Sequence, residues 1–416
     1  MAPRTLTSDR LRKAWAWGLA ALTLGFLSPA PAGHARPAAP DLRGPLVFVS
    51  NVFEGTVTII EPARNRVRKV ATGALPHNWS RSPDGREVVV MNTGSESVSF
   101  FDGRTGEFKR HMLVAPIPKI PPHEALGPAK FAGKTSCHEC HGQANLGRLS
   151  AQALYTRDGR SLWTVPFSPP GVVRVDARTG QHLERLEVAP FPFDTQVSSL
   201  NYTPDGKELV VLHRRRGKSG LPMEGATGNG TVPVTRFDHD SPPGNRASGI
   251  TFHTADGRRE LGRLIVPLTM PYKVDFSRDG RFMYAAYRST NKVVEIDVAK
   301  RQIARTLVVG EGPHNAVVDK RDGKWLYAPS FYDEPPEVVK VELATGKVRA
   351  LLPAKVSPAM VAQDPDTGLL YVVANATNRV LELDPRGKGK LLREWGAGMF
   401  PLDILVVAES ERRAVR

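Results

Sequence analysis

Long apolar segments are almost absent from this sequence of 416 residues. The uncharged run near its start, residues 14–27, is short for a membrane span, and no later segment has 18 or more apolar residues. We therefore expect no integral membrane span once the N-terminus has been processed. A Ser-centred nucleophile motif is also missing, and no carboxylate recurs where the repeats described below begin. A hydrolase or lactonase is thus the least favoured class of function.

The N-terminus has the composition of an export signal. Four positive residues precede the uncharged run: Arg4, Arg10, Arg12 and Lys13. Small residues follow the run and provide cleavage sites, which predicts a signal peptide over residues 1–35 and a linker over residues 36–45. An uncleaved anchor is the alternative. No cysteine follows the run, which disfavours a lipoprotein, and no adjacent Arg pair precedes it, which favours the general secretion route. We expect a periplasmic or secreted protein.

Acidic residues are outnumbered, with 42 Asp and Glu against 57 Lys and Arg and a formal net charge of +15. A basic surface suits an acidic partner protein, an anionic lipid surface or nucleic acid. Export argues against nucleic acid, and the charges are dispersed along the sequence rather than gathered in a recognisable motif. We therefore interpret the excess mainly as a contribution to solubility.

A turn of the Asp-Gly type recurs between pairs of strand-like runs. The examples are Asp84-Gly85, Asp158-Gly159, Asp205-Gly206, Asp279-Gly280, Asp322-Gly323 and the looser Asp366-Thr367-Gly368. Where no long insertion intervenes, successive glycines lie 43 to 47 residues apart. That period is the size of a four-stranded propeller blade.

A second turn follows in each repeat, after an alternating run that ends in an acidic residue. Seven runs end this way, at Glu61, Asp102, Asp176, Asp256, Asp297, Glu342 and Asp384. The first repeat begins at Leu46 and lacks an innermost strand, whereas the run 402–407 has no repeat of its own. Pairing that run into the first repeat closes a ring and removes both exposed sheet edges.

We therefore predict an all-β protein, a seven-bladed β-propeller of four-stranded blades over residues 46–410. A C-terminal strand completes the first blade, and residues 411–416 form a tail. Two long insertions interrupt the repeats, at residues 116–148 and at residues 214–248.

Several pieces of the repeats resemble the YVTN-repeat (YncE-like) family of propellers. The pieces are Pro313-His314-Asn315-Ala316-Val317-Val318, Tyr371-Val372-Val373-Ala374-Asn375, Asn291-Lys292-Val293-Val294-Glu295-Ile296-Asp297, Pro76-His77 and Ser82-Pro83-Asp84-Gly85. The resemblance extends over roughly residues 46–408 and implies the same seven-bladed fold. It says little about function, because this architecture hosts many unrelated activities.

Cysteine occurs only twice, within Cys137-His138-Glu139-Cys140-His141. This is the C-x-x-C-H pattern of covalent haem attachment. Two thiols one turn apart reach the two vinyl groups of one porphyrin, while His141 places an imidazole on the iron as proximal ligand. The pattern predicts one covalent haem c in the insertion between the second and third blades. Such attachment takes place outside the cytoplasm, in agreement with the export signal.

Two other interpretations of this segment stay open. Cys137 and Cys140 are able to form a disulfide in an oxidising compartment, or to remain free thiols. A zinc ion would need Cys137, Cys140, His138 and His141 together, whereas structural zinc sites usually draw two ligand pairs from separate places.

The second ligand of the haem iron is not determined by the motif, because the insertion is too short for a full cytochrome domain. The candidates are His123 in the same insertion and Met223 and His239 in the insertion at residues 214–248. Strand direction alternates within a blade, so both insertions should rise from one face of the ring. His77 and His314 enter their blades on that face, near the central funnel. They are candidates for metal or ligand binding, or for hydrogen bonds of the rim.

The favoured function is an exported haem-bearing propeller that transfers electrons or supports a redox partner. We expect a monomer and assign no catalytic residue, so an enzyme is not favoured; if it is one, it is a haem-dependent oxidoreductase. The basic run Arg214-Arg215-Arg216-Gly217-Lys218 is either a solvated loop or a dock for an acidic redox partner. The alternative is an extracytoplasmic binding or scaffold protein with structural cysteines.

Overall fold

The structure is a computed structural model, and it describes residues 42–114, 150–166, 171–193, 195–215, 247–331, 337–352 and 357–415. These residues form seven sheets of four antiparallel strands each, which are the blades of a β-propeller. The predicted fold class is therefore confirmed. Inner strands of successive blades contact one another around the ring, from blade 1 through blade 7 and back to blade 1.

The strand bounds follow the order of the chain, with the innermost strand of each blade given first. Blade 1 contains β28 (Pro401–Val407), β1 (Leu46–Asn51), β2 (Thr56–Glu61) and β3 (Arg66–Ala71); blade 2 contains β4 (Pro76–Arg81), β5 (Glu87–Asn92), β6 (Ser97–Asp102) and β7 (Phe108–Leu113). Blade 3 contains β8 (Ser150–Tyr155), β9 (Ser161–Pro166), β10 (Val173–Asp176) and β11 (His182–Arg185). Blade 4 contains β12 (Thr195–Tyr202), β13 (Glu208–Arg215), β14 (Ser248–Thr254) and β15 (Glu260–Val266).

Blade 5 contains β16 (Pro271–Phe276), β17 (Phe282–Tyr287), β18 (Lys292–Asp297) and β19 (Gln302–Val308); blade 6 contains β20 (Val317–Val318), β21 (Trp325–Ser330), β22 (Glu337–Glu342) and β23 (Val348–Leu352). Blade 7 contains β24 (Pro358–Gln363), β25 (Leu370–Ala374), β26 (Arg379–Asp384) and β27 (Lys390–Gly396). Short 3₁₀ helices occur at Pro62–Arg64, Thr93–Ser95 and Asn375–Thr377, and one α-helix, α1 (Glu409–Ala414), follows the last strand.

Burial explains the sequence of the strands. The second strand of a blade is covered on both faces by neighbouring blades, so it is a continuous apolar run, as in the buried Val88-Val89-Val90-Met91 of β5. The outermost strand faces solvent, and β3 accordingly reads Arg-Val-Arg-Lys-Val-Ala with exposed and half-buried positions. Apolar clusters therefore fill the seams between blades. Between blades 1 and 2, the rings of Phe48 and Trp79 lie 5.5 Å apart.

The ring closes as the sequence predicts. Strand β28 pairs antiparallel with β1, and Val49 lies opposite Ile404 in the register. The last strand of the chain is thus the innermost strand of the first blade. This pairing joins the two ends of the ring through a ladder of hydrogen bonds rather than through a loop.

Helix α1 fastens the same closure from outside the sheet. Its residue Arg412 is buried, and the guanidinium donates to the carbonyl oxygens of Arg104 at 2.8 Å and of Gly44. Glu409 accepts from the backbone N–H of Gly44 at 2.6 Å. Contacts of one short helix therefore tie the C-terminus to blade 2 and to the segment before β1.

The two faces of the ring differ in their connections. Turns between first and second strands and between third and fourth strands lie on one face, here called the turn face. Connections between blades and between second and third strands lie on the other, here called the funnel face. Because β7 ends at Leu113 and β8 begins at Ser150, and β13 ends at Arg215 and β14 begins at Ser248, both long insertions connect strands at the funnel face.

Several turns on the turn face share one motif, Ser/Thr-x-Asp-Gly. In blade 3, the hydroxyl of Thr156 donates to Asp158 Oδ1 at 2.6 Å, and the same oxygen accepts the backbone N–H of Arg160 at 3.0 Å. The hydrogen bond from Thr156 is the main reason why the pKa of Asp158 lies below its ordinary value. The turns that begin at Ser82, Thr203, Thr254 and Ser277 make the same contacts.

Each inner turn also packs on the next blade. The residue before the Asp lies against the turn glycine of the following blade, and this glycine has a positive φ. The contacts join Pro83 to Gly159, Arg157 to Gly206, Pro204 to Gly280, Arg278 to Gly323 and Arg321 to Gly368. The inner turns from blade 2 to blade 7 therefore form a continuous arc around the turn face.

Candidate functional site at the funnel face

Five of the inner strands are entered through a proline, and the residues after it line the start of the central channel. These entries are Pro76-His77-Asn78, Pro271-Tyr272-Lys273, Pro313-His314-Asn315, Pro358-Ala359-Met360 and Pro401-Leu402-Asp403. His77 and His314 thus occupy equivalent positions in blades 2 and 6, and both side chains are buried. Their placement at the channel agrees with the sequence analysis, while their binding role stays a prediction.

His314 lies among aromatic rings. Its imidazole makes edge contacts with Tyr272 at 5.6 Å and with Phe331 at 4.8 Å between ring centroids. Asn315, the next residue, bridges blades 6 and 7 through hydrogen bonds to both backbone groups of Val361, at 2.7 and 3.2 Å. The backbone that carries His314 is therefore held rigidly between two blades.

His77 is placed by its neighbour. Its Nδ1 lies 3.1 Å from Asn78 Nδ2, so the amide donates to the ring nitrogen. With Nδ1 accepting, a neutral imidazole carries its proton on Nε2. This contact orients the ring at the entry of blade 2.

Side chains from opposite blades meet across the channel at the level of these histidines. Tyr272 of blade 5 packs in one buried cluster with Ala359 and Met360 of blade 7 and Leu402 of blade 1. Next to it, Lys273 Nζ lies 2.5 Å from Asp403 Oδ2, an ion pair between blades 5 and 1. The funnel therefore has a floor at the level of the second and third residues of the inner strands.

Two buried arginines flank the funnel in blades 4 and 5. The Arg288 guanidinium lies 5.5 Å from the centroid of the Tyr272 ring. Arg214 donates to Gln196 Oε1 at 3.0 and 3.3 Å through Nη2 and Nε. Blades 4 and 5 meet nearby, where Ser248, the register partner of Arg214, places its Oγ 3.2 Å from the Tyr287 hydroxyl.

The position of Arg214 corrects the sequence analysis. The basic run beginning at Arg214 was expected in a loop, either solvated or free to meet an acidic partner. Arg214 instead belongs to β13, is buried, and bonds within its own blade. A charged residue next to an insertion is typical of a loop, but Arg214 continues strand β13 directly after Leu212 and His213. Arg216, Gly217 and Lys218 lie outside the described residues.

Three residues with strained backbone lie at the same level. Leu75, Met270 and Phe400 each precede the proline of an inner strand and each have a positive φ, between 51° and 59°. This conformation is unfavourable for bulky side chains, and the residue before proline prefers extended backbone. In blade 6 the equivalent position is Gly312, where the conformation costs little. Strain of this kind tends to accumulate at functional sites.

The predicted haem-attachment residues Cys137, Cys140 and His141 lie outside the described residues. The same is true of the three proposed second ligands, His123, Met223 and His239. No residue of the insertion at 116–148 is described, and of the insertion at 214–248 only residues 214–215 and 247–248 are described. At the end of β7, the backbone N–H of Val114 donates to the carbonyl of Glu96 at 2.9 Å.

The sequence analysis did not single out Lys273, Asp403 or Arg288. A signal was available for the first two, since alignment of the inner strands on their prolines places Lys273 and Asp403 at the same position of different blades. Across a narrow channel, opposite charges at one level are able to meet. Arg288 follows β17 where other blades have Val52, Thr93, Phe331 and Asn375, so its charge is a departure from the repeat.

A cleft of about 510 Å³ also opens between the inner turns of blades 2 and 3. It is lined by side chains of both signs, including Asp84, Lys109 and Arg157. Within it the Tyr155 hydroxyl donates to Glu87 Oε2 at 2.6 Å. Burial, followed by that bond to a carboxylate, raises the pKa of Tyr155. This cleft lies on the turn face, opposite the two insertions.

Fold and site together define a seven-bladed β-propeller in which side chains of blades 5 and 1 meet across the central channel. A family model described as "YNCE-like beta-propeller" matches residues 8–117. This similarity covers the first two blades and agrees with the resemblance seen in the repeats. None of the curated proteins compared with the chain matches it.

Solved structures share the fold. Hydrazine synthase of Kuenenia stuttgartiensis is 17% identical, over 80% of this chain and 95% of that chain, with a TM-score of 0.54. The periplasmic gluconolactonase PpgL of Pseudomonas aeruginosa is 17% identical, over 88% and 99% of the two chains, with a TM-score of 0.56. Dihydro-heme d1 dehydrogenase NirN in complex with DHE is 15% identical, over 92% and 78%, with a TM-score of 0.55. At these identities the likeness concerns architecture alone.

Two further observations concern the described part of the chain. No helix within it is long and apolar enough to cross a membrane. No group of three or more His, Cys, Asp or Glu side chains in these ranges is arranged to hold a metal ion.

Proposed function

We propose that this protein is an exported β-propeller that carries one covalent haem c and acts in electron transfer or as a redox-partner protein. The observation that carries the proposal is the pattern Cys137-His138-Glu139-Cys140-His141 in the connection between blades 2 and 3. Cys137 and Cys140 would hold the porphyrin through thioether bonds, and His141 would be the proximal ligand. When bound, the haem supplies a one-electron redox centre.

The funnel residues fit such a group chemically. Haem is a flat apolar ring with two carboxylates, and its iron accepts imidazole. The funnel offers aromatic rings at Tyr272 and Phe331, a buried guanidinium at Arg288, and imidazoles at His77 and His314. The insertion that contains the motif leaves and re-enters the propeller on this same face. His77 and His314 therefore join His123, Met223 and His239 as candidates for the second iron ligand.

Export of the protein is part of the proposal. Residues 1–35 have the features of a signal peptide, and covalent haem attachment of this kind takes place outside the cytoplasm. The periplasmic gluconolactonase described above shares the fold, which is consistent with a propeller of this architecture functioning outside the cytoplasm.

The test is expression with the machinery that matures c-type cytochromes, followed by a haem stain on a denaturing gel. Wild-type protein should stain, and the Cys137→Ala/Cys140→Ala variant should not, while both keep the circular dichroism spectrum of a β-propeller. Conversion of His138, which the motif leaves variable, to Ala is the matched control and should retain the stain. A folded wild-type protein that never stains would contradict the proposal and favour a binding or scaffold protein with structural cysteines.

Visible spectra then assign the second ligand. Single substitutions of the five candidates, His77, His123, Met223, His239 and His314, by Ala should change the low-spin spectrum in only one variant. A six-coordinate iron favours electron transfer, whereas an open position favours reaction with a small molecule such as peroxide. If no substitution alters the spectrum, the second ligand does not come from these residues.

A further inference from the structure

The turn face carries a repeated pattern of cations. In five successive blades a cation directly follows the glycine of the inner turn. These cations are Arg86, Arg160, Lys207, Arg281 and Lys324. In blades 3, 5 and 6 a second arginine precedes the Asp of the turn, at Arg157, Arg278 and Arg321. Positions 43 to 74 residues apart in the chain are thereby brought together on one face.

The same turns also contain acids, and the Asp205 side chain is itself 54% exposed. Oδ1 of Asp158, Asp205 and Asp279 accepts one hydroxyl and one backbone N–H of its own turn, at 2.6 to 3.1 Å. Each carboxylate is therefore held against the backbone. The cation side chains extend into solvent, and those of Lys207 and Arg281 are 81% and 60% exposed.

Ion pairs within the turns are weak. Arg86 lies 3.7 Å from Asp84, Lys207 lies 3.4 Å from Asp205, and Arg281 lies 3.9 Å from Asp297 on the neighbouring strand. The first two pairs are exposed on both sides and contribute little, whereas Asp297 is buried and lies at the longest of the three distances from its arginine. The cations therefore remain available to an anionic surface.

The inner turns form a continuous arc because each packs on the next. Arg157 lies against Gly206, Pro204 against Gly280, and Arg278 against Gly323. Arg278 also donates to the carbonyl of Arg321 at 3.2 Å, which joins the turns of blades 5 and 6 directly. An arc of cations on one face can approach an anionic surface with several side chains at once.

A ring of half-exposed apolar side chains surrounds this arc. Every blade contributes one, at the first or second position of its fourth strand, immediately after the outer turn. The residues are Val67, Phe108, Leu183, Leu261, Ile303, Val348 and Leu391, with exposures between 37% and 45%. Apolar side chains beside exposed Lys and Arg are the combination found on proteins that lie on a membrane surface.

We propose that the turn face over blades 3 to 6 binds the anionic surface of a phospholipid bilayer. This inference goes beyond the haem proposal and is independent of it, because it involves the face opposite the two insertions. Binding in this orientation leaves the funnel face directed away from the bilayer. The attraction is electrostatic, so it weakens as ionic strength rises.

The test is co-sedimentation of the mature full-length protein with vesicles. One set contains equal parts of phosphatidylglycerol and phosphatidylcholine, and the other contains phosphatidylcholine alone. The triple variant Lys207→Gln/Arg281→Gln/Lys324→Gln removes three exposed cations of the arc. The matched control, Lys69→Gln/Lys292→Gln/Arg379→Gln, removes the same charge from strand positions outside the inner turns. Thermal unfolding confirms that both variants fold.

Wild-type protein and the control variant should bind the phosphatidylglycerol vesicles and not phosphatidylcholine, and salt should release them. The arc variant should bind at least about tenfold more weakly, since each basic residue near such a surface changes the affinity several-fold. Equal weakening of both triple variants would overturn the proposal, because net charge alone would then explain binding. So would absence of binding to the anionic vesicles, or binding to poly-glutamate but not to vesicles, which would indicate an acidic protein as the partner.

Discussion

Lys273 of blade 5 and Asp403 of blade 1 meet across the central channel, with Nζ 2.5 Å from Oδ2. The two residues are 130 positions apart in the chain and belong to blades that are not neighbours. Asp403 is buried, and its Oδ1 accepts the backbone N–H of Ile404 at 2.8 Å. The lysine therefore compensates a carboxylate at the innermost point of the ring, on the strand that closes it.

Removal of the lysine should destabilise the protein more than removal of the acid charge. Lys273→Met leaves Asp403 charged without its partner and should cost about 2 to 3 kcal/mol in the free energy of unfolding, somewhat less than a fully buried pair because the lysine is partly exposed. Asp403→Asn keeps the bond to Ile404 and should cost about 1 kcal/mol. Urea unfolding of the single and double variants measures both values. Strict additivity in the double variant would show that the two side chains do not interact.

The C-terminal helix provides a second stability test with adjacent residues. Arg412→Ala removes hydrogen bonds from a buried guanidinium to the carbonyls of Arg104 and Gly44, and should lower stability by about 2 kcal/mol. Arg413 is exposed and pairs with Glu409 within the helix, so Arg413→Ala should cost less than about 0.5 kcal/mol. Differential scanning fluorimetry compares the two. Equal melting temperatures would mean that the helix does not contribute to ring closure.

The packing of turns on neighbouring blades predicts different costs for two glycine substitutions. Gly206 has a φ of +70°, and a Cβ there would lie 2.5 Å from Arg157 Nε. Gly387 has a φ of +60°, and nothing lies within 4 Å of its Cβ position. Substitution by Ala should cost about 1 kcal/mol at Gly387 from the backbone alone, and more at Gly206 because Arg157 must also move. Chemical unfolding of both variants decides this, and the expectation fails if Gly387→Ala is the more damaging change.

Blade 4 contains two buried histidines that share one hydroxyl. His213 Nε2 and His253 Nε2 each lie 2.9 Å from Thr251 Oγ1. Burial lowers the pKa of His213 to about 3, and the charges of His253 and Arg263 act in the same direction. The pKa of His253 is lowered as well, again mainly by burial. Both imidazoles are therefore neutral in the folded protein at neutral pH.

These histidines should make the protein sensitive to acid. In the unfolded chain a histidine titrates near pH 6.5, so below that pH the unfolded state binds a proton that folded His213 does not accept until about pH 3. Stability should consequently fall as the pH falls through this window, by up to about 1.4 kcal/mol per pH unit for one histidine. His213→Gln should reduce the slope by about that amount, and His213→Gln/His253→Gln should reduce it further. Unfolding free energies measured across the window test this, and a slope unchanged in His213→Gln would contradict it.

Most of the fold could be predicted from local signals. The Asp-Gly turns and the acidic ends of the third strands repeat at a constant spacing, and both encode backbone geometry within a few residues. The orphan run 402–407 and the incomplete first repeat then required the ring to close, as the pairing of Val49 with Ile404 confirms. Helix α1 was not anticipated, because residues 411–416 are polar and carry no repeat signal.

The candidate site was predictable only in part. The positions of His77 and His314 at the funnel followed from the repeat, because each stands directly after the proline of an inner strand. The sequence predicts a loop at Arg214, and this prediction is wrong, because charged residues beside an insertion are typical of loops. The floor made by Tyr272 and by the pair Lys273 and Asp403 was missed, since it depends on which blades face each other across the channel.

The sequence by itself determined the number of blades, the location of both insertions on one face, and the spacing of Cys137, Cys140 and His141, because each of these is encoded in short and regular patterns. The tertiary structure alone decided which charges meet. Closing the ring brings Lys273 to Asp403 across the channel and gathers the cations of the inner turns into one arc on the opposite face. Electrostatic interactions depend on distance in space. Equivalent residues of successive repeats are far apart in the chain and become neighbours only when the propeller is folded.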